Sequence, residues 1–260
     1  MTAEIRSRTR RTKCGDKPGQ VVLVHGTLDE CGSFRRVLDE LPAWDTTTYD
    51  RRGWGASAAL TPGNLEQNAA DLLAILPADE QSILVGHSYG ATVALTVGGR
   101  YPERVRAVVA YEPPLPWLPW WPDRAPWEAL VLDRGLTPAD AAEAVVREVL
   151  GDAGWERLPQ RLRDKRRSEG QSLVAEMRML CDDKPSFDPL AFQCPVLTAA
   201  GAESLPHHRH TAAKLAELVP LGEYRELAGA GHPGHISHPA EFAALVNTVD
   251  QRDRRTELPS

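Results

Sequence analysis

The sequence predicts an α/β protein: a mostly parallel central sheet with helices on both faces, carrying a helical insertion that sits over the sheet as a lid. Three observations predict it. Short apolar, β-branched runs alternate with helical segments along most of the chain, the pattern of a parallel sheet with right-handed crossovers. One of those runs, Ile83-Leu84-Val85, passes at once into Gly86-His87-Ser88-Tyr89-Gly90 and then into a small, apolar helical stretch from Ala91 to Gly99. Such a strand–turn–helix around G-x-S-x-G holds its serine out above the sheet on a tight, strained turn. Finally, from Pro113 to about Phe187 no strand pattern occurs, and five of the seven tryptophans (Trp117, Trp120, Trp121, Trp127, Trp155) fall there.

The elements follow in order. Met1 to Gly19 is polar and rich in arginine, an edge strand or a loose arm, with a solvated tail favoured over a nucleic-acid contact. Val21 to Val24 is a continuous apolar run, the mark of a strand buried on both faces, and it ends at His25-Gly26-Thr27. A helix from Ser33 to Leu41 stops at Pro42. Thr46 to Tyr49 is the next strand, ending in Asp50-Arg51-Arg52-Gly53-Trp54-Gly55, and Leu65 to Leu76 a helix stopped at Pro77. After the serine-bearing unit, Val105 to Tyr111 is a strand ending at Glu112-Pro113-Pro114. Inside the insertion, Thr137 and Pro138 make an N-cap and first-turn pair for a helix to Leu150, and Leu158–Arg167 and Ser172–Leu180 are further helices. The sheet resumes at Pro195–Gly201. A helix from about His207 to Leu218, a strand Glu223–Leu227, the segment Gly229-Ala230-Gly231-His232, a helix Pro239–Val249 and a polar tail complete the chain. The resulting division is a core of residues 1–114 and 188–260 with a lid of residues 115–187.

Composition bounds the function. A net charge of −6 over 260 residues argues against nucleic acid or an anionic membrane as partner. No apolar run reaches the ~18 residues of a membrane span, and no hydrophobic segment follows the basic N-terminus. The four cysteines lack metal-ligand spacing and read as reduced thiols of a cytoplasmic protein. His207, His208 and His210 cluster without a second ligand group at zinc spacing, so no metal and no cofactor are expected.

In open α/β sheets ligands bind at the carboxyl ends of the strands. There the sequence sets His25-Gly26-Thr27, Ser88, Glu112 and His232, a serine, a later carboxylate and a last histidine in chain order. With its HGT, DRRGWG, GHSYG and GAGH segments at those strand ends, the chain resembles the α/β-hydrolase family from about Val21 to Val249. The resemblance implies Ser88 as nucleophile, His232 as general base (its GxGH segment is followed by Pro239, which favours it over His235 and His238), and the backbone N–H groups of Thr27 and Tyr89 as the oxyanion hole. His25 and Asp50 match positions that hold loops. The usual place of the acid, three residues past Gly201, holds Ser204. Glu112, where some relatives carry their acid, is the preferred member of the triad, with Glu203 as the alternative. A serine nucleophile excludes relatives that need aspartate there, dehalogenases and epoxide hydrolases. The implied reaction is cleavage of an ester, lactone or thioester of a small, largely apolar substrate through an acyl-enzyme. C–C bond hydrolysis or cofactor-free haloperoxidase/perhydrolase chemistry is the alternative, and a non-catalytic ligand-binding protein of the same fold is a second one.

Overall fold

The computed structural model describes residues 5–12, 18–132, 135–182 and 185–256. Seven strands form one sheet: β1 (Arg6–Arg10), β2 (Gln20–Val24), β3 (Asp45–Asp50), β4 (Ser82–His87), β5 (Val105–Tyr111), β6 (Val196–Gly201) and β7 (Gly222–Leu227), in the spatial order β1-β3-β2-β4-β5-β6-β7. Every pairing is parallel except that of β1 with β3. Within the basic N-terminal stretch, Arg6–Arg10 is therefore an edge strand, its side chains exposed and its backbone paired from Arg6 with Asp50 to Arg10 with Thr46. Lys13 and Cys14 lie outside the described residues.

The continuous apolar strands are buried on both faces because each face packs its own helices. Val22, Val24 and Leu84 join the core under α2 (Leu65–Ile75), α3 (Tyr89–Arg100) and α8 (Pro206–Leu218). Val21, Leu23, Ile83 and Val85 pack on the other face with α1 (Arg35–Asp39) and α10 (Pro239–Thr256), which follows the one-turn α9 (Gly234–Ser237). Helix α2 starts where Asn64 and Gln67 form a reciprocal capping box. Helix α10 runs past Val249, where the sequence predicts a tail, because the residues up to 256 contain no glycine or proline to stop it.

Between β5 and β6 the described residues hold no strand. They form α4 (Pro126–Leu132), α5 (Pro138–Arg157), α6 (Gln160–Ser168) and α7 (Gly170–Asp182). Thr137 caps α5 as predicted, accepting the Asp140 N–H on its hydroxyl. Helix α5 runs past Leu150 and bends at Gly151, whose φ of 70° takes the chain out of helical geometry. Helix α4 lacks a capping signal in the sequence, and its apolar run is too short for periodicity to separate it from the Pro/Trp-rich loop before it.

Candidate active site

The turn after β4 has the predicted strain. Ser88 sits at φ 53°, ψ −126°. A Cβ on Gly86 would lie 2.3 Å from the Ala91 Cα, and one on Gly90 2.2 Å from the Val24 carbonyl oxygen, so neither position admits a side chain. Among the described residues only two other non-glycines have positive φ: Leu28 at 55° and Glu112 at 50°. All three follow the carboxyl ends of adjacent strands β2, β4 and β5. Each such conformation costs about 1–3 kcal/mol, and the surrounding sheet over-determines it.

Glu112 is fully buried and reaches across the strand ends to His232, its Oε2 2.5 Å from the imidazole Nδ1. Its other oxygen accepts the Gly201 N–H at 2.8 Å and the Ser204 hydroxyl at 2.5 Å. Burial alone would raise this carboxyl. The His232 charge and hydrogen bond, with help from His208 and Ser204, outweigh it and hold the pKa at about 2. The structure thus brings Glu112, not Glu203, to the imidazole; Glu203 is exposed. Ser204, in the place of the usual acid, turns its hydroxyl onto Glu112. The loop carrying His232 is fixed through two successive backbone carbonyls: the Tyr111 hydroxyl donates to that of Gly231 at 2.8 Å, and His87 Nε2–H to that of His232 at 2.9 Å.

The competing histidines are occupied elsewhere. His235 is buried 3.2 Å from Asp29, and His238 bonds the neighbouring Ser237 hydroxyl at 2.8 Å. His208, buried on α8, stacks on the His232 ring at 4.8 Å and 24°. Burial, then the nearby His232, keep it uncharged. Two groups, Asp29/His87/His235 and Glu112/His208/His232, bring potential metal-ligand atoms within 4.8 Å of one another. Their imidazoles lie ring against ring, His87 4.1 Å from His235 and His208 4.8 Å from His232 between centroids. The first pair is tilted by 44° and the second stacked at 24°.

The loop after β2 lies against the serine. A Cβ on Gly26 would come within 2.9 Å of the Ser88 Cβ, so this residue type lets the HGT backbone approach Ser88. Thr27, the next residue, and Ser88 and His232 all line one cavity of about 240 Å³. Tyr89 opens α3 and packs its ring under the Arg51 guanidinium, 4.6 Å away. Asp29, His87, His208 and His235 line the same cavity on the side of the strand ends. The side formed by the inserted helices is mostly apolar: Trp127, Val131, Val146, Leu162, Leu173 and Met177 come from all four of them, with Arg166, paired with Glu169 at 2.7 Å, as the charged residue among them. Of the inserted tryptophans, Trp127 lines the cavity. Trp121 and Trp155 are buried packing residues, Trp121 against Glu128 and His207.

Two residues escape sequence reasoning. Arg51 and Glu176 form an ion pair with no exposed side-chain surface. Arg51 stands in the DRRGWG segment and could have been flagged by it. Glu176, 125 residues away on an inserted helix, has no local signature.

A sequence model of the alpha/beta hydrolase family matches residues 21–245. The chain belongs to this family. Solved structures agree in fold: an enol-lactonase from Burkholderia xenovorans LB400 superposes with a TM-score of 0.74 at 20% identity over 94% of this chain and 95% of that one. A hydrolase from Pseudomonas aeruginosa PA01 gives 0.74 at 21% over 94% and 93%. By sequence the chain is 30% identical over 98 residues to lipase LipV of Mycobacterium tuberculosis, covering 37% of this chain and 38% of that relative. It is 30% identical over 105 residues to a pimeloyl-[acyl-carrier protein] methyl ester esterase of Neisseria meningitidis, covering 40% of each. The matched stretches thus span less than half the length of these curated relatives. No helix among the described residues of this alpha/beta hydrolase is long and apolar enough to cross a membrane.

Proposed function

We propose that the protein is a serine hydrolase that cleaves an ester, lactone or thioester of a small, largely apolar substrate through an acyl-enzyme. The observation that carries the reading is the 2.5 Å contact of His232 Nδ1 with buried Glu112, in the wall of the cavity that Ser88 enters from a strained turn. With Nδ1–H donated to Glu112, Nε2 is the free basic nitrogen. It takes the Ser88 hydroxyl proton as Oγ adds to the substrate carbonyl, while Glu112 remains a carboxylate and stabilises the imidazolium. The negative charge that develops on the carbonyl oxygen is met by the N–H groups of Thr27 and Tyr89, the second at the start of α3, where the helix dipole adds to it. His232 then returns the proton to the leaving group. The acyl-Ser88 ester is cleaved by water activated at the same nitrogen, which restores the hydroxyl.

Helices α4–α7, within residues 115–187, act as a lid. Their apolar cavity wall favours acyl or aryl groups over charged substrates and lowers the dielectric around the developing charge. The similar proteins named as lipase and methyl ester esterase act in the same acyl class. Intact mass after incubation with a fluorophosphonate tests the reading. One phosphonyl adduct on the wild type and none on Ser88→Ala is the expected result, accompanied by turnover of p-nitrophenyl esters. No adduct on either protein, with no turnover, overturns it.

A further inference from the structure

We infer that Glu176, on the inserted helix α7, is a positioning residue for the oxyanion hole: through Arg51 and Thr27 it fixes the peptide whose N–H meets the developing charge. This rests on the proposed serine-hydrolase reading of the site.

The argument starts from one peptide unit. The Gly26 carbonyl and the Thr27 N–H belong to the same trans peptide and point in opposite directions. Whatever holds that carbonyl therefore aims that N–H. Two donors hold it: the Arg51 guanidinium through Nη2 at 3.0 Å and His25 Nδ1–H at 2.7 Å. Arg51 also donates through Nε to the His25 carbonyl at 2.8 Å, and its backbone N–H donates to His25 Nε2 at 2.9 Å. The guanidinium thus grips two successive carbonyls just before Thr27.

A guanidinium with no exposed surface needs a counter-charge, and the only carboxylate bonded to it among the described residues is Glu176. Burial would lower the Arg51 pKa, but Glu176 reverses that, so the cation is retained. The same carboxylate accepts the Thr27 hydroxyl at 2.6 Å and the Trp54 indole N–H at 3.1 Å. Glu176 therefore contacts the oxyanion residue directly and restrains its peptide through Arg51. Helix α7 brings it there, so the insertion, seated on the core, adds the Arg51 grip to the one that His25 supplies. An oxyanion donor misaimed by one peptide rotation loses stabilisation that exists in the tetrahedral state and not in the ground state.

The test compares wild type, Glu176→Gln and Thr27→Val. Arg167→Gln serves as control; it breaks pairs to Asp140 and Glu143 that lie wholly within the insertion. Three quantities are read: KM, kcat on a p-nitrophenyl ester, and affinity for an alkyl boronic acid, which forms a tetrahedral adduct on serine. In Glu176→Gln, kcat and boronate affinity fall together by about 10²-fold, the scale of one lost oxyanion donor, while KM moves less than about threefold. Arg167→Gln stays near wild type. Should Glu176→Gln show no cooperative melt, Thr27→Val decides, with boronate affinity down by about three- to tenfold at unchanged KM. Boronate affinity unchanged in the folded variant, or KM and boronate affinity weakened equally, overturns the inference. A wild type that neither binds the boronate nor accepts fluorophosphonate overturns the underlying site reading instead.

Discussion

The loop after β5 and the inserted helix α7 each bury a glutamate completely, Glu112 and Glu176, and each glutamate faces a basic partner. The partners differ. Glu112 faces an imidazole, a group able to take up a proton and give it back within one reaction cycle. Glu176 faces a guanidinium that never does. The first pair has a charge state that can change during a reaction, and the second has a fixed one. The surroundings agree. Glu112 is braced by core groups, the Gly201 N–H and the Ser204 hydroxyl, so its position is set by the sheet. Glu176 is braced by Arg51, Thr27 and Trp54 and joins two separately encoded parts of the chain. Burying a carboxylate without a partner costs several kcal/mol, so neither glutamate is a neutral passenger. On the proposed reading of the site, one holds a proton-transfer group and the other a hydrogen-bond donor.

That contrast can be broken first at the imidazole. His232→Ala is expected to lower kcat by about 10⁴-fold or more, and Glu112→Gln by about 10³–10⁴-fold, since the amide no longer stabilises the imidazolium or selects its tautomer. Steady-state rates with a p-nitrophenyl ester check both. The pH–rate profile sharpens the comparison. Glu112→Gln should lower kcat across the whole pH range with KM little changed, and Glu176→Gln should lower it less, because its partner carries a fixed charge.

Stability gives a second, smaller contrast. His25 is fully buried, and burial first, then the Arg51 charge, lower its pKa to about 4. The unfolded state therefore binds the extra proton between pH 6.5 and 4, and stability falls as pH drops through that window, by on the order of 3 kcal/mol for this residue. Protonation would also remove the acceptor for the Arg51 N–H. Glu112, held at about 2, extends the loss from pH 4.5 toward 2. Thermal melts from pH 7 to 4 should show a steady decline in Tm, and His25→Asn should show a shallower one. Ser204→Ala removes one hydrogen bond to the Glu112 carboxylate and should cost about tenfold in kcat, consistent with 1.5 kcal/mol. Glu203→Gln, on an exposed side chain, should stay within about twofold of wild type; a large loss there would return the acid to the loop after β6.

Much of the fold was legible because its signals are local. Buried parallel strands read as unbroken apolar runs, prolines stop helices, and the Gly86/Gly90 frame around Ser88 needs only the neighbouring strand and helix to explain it. Ser88 and His232 follow from the same kind of signal, a residue type at a strand end in a fixed order. The choice between Glu112 and Glu203 does not. Both lie after strands of one sheet, and only the β5–β6 register, which sets Tyr111 beside Ala199, carries Glu112 under Gly201 and Ser204 and toward His232. Arg51 and Glu176 are the limiting case. Sequence by itself predicted a strand-free, helical stretch between β5 and β6, as the described residues there show, and a serine, a histidine and a carboxylate after strands of one sheet. Which carboxylate meets the histidine, and that an arginine after β3 is neutralised from an inserted helix 125 residues later, were decided by tertiary structure. Side-chain partners across such separations depend on how helices dock, and docking is a property of surfaces that no local pattern encodes.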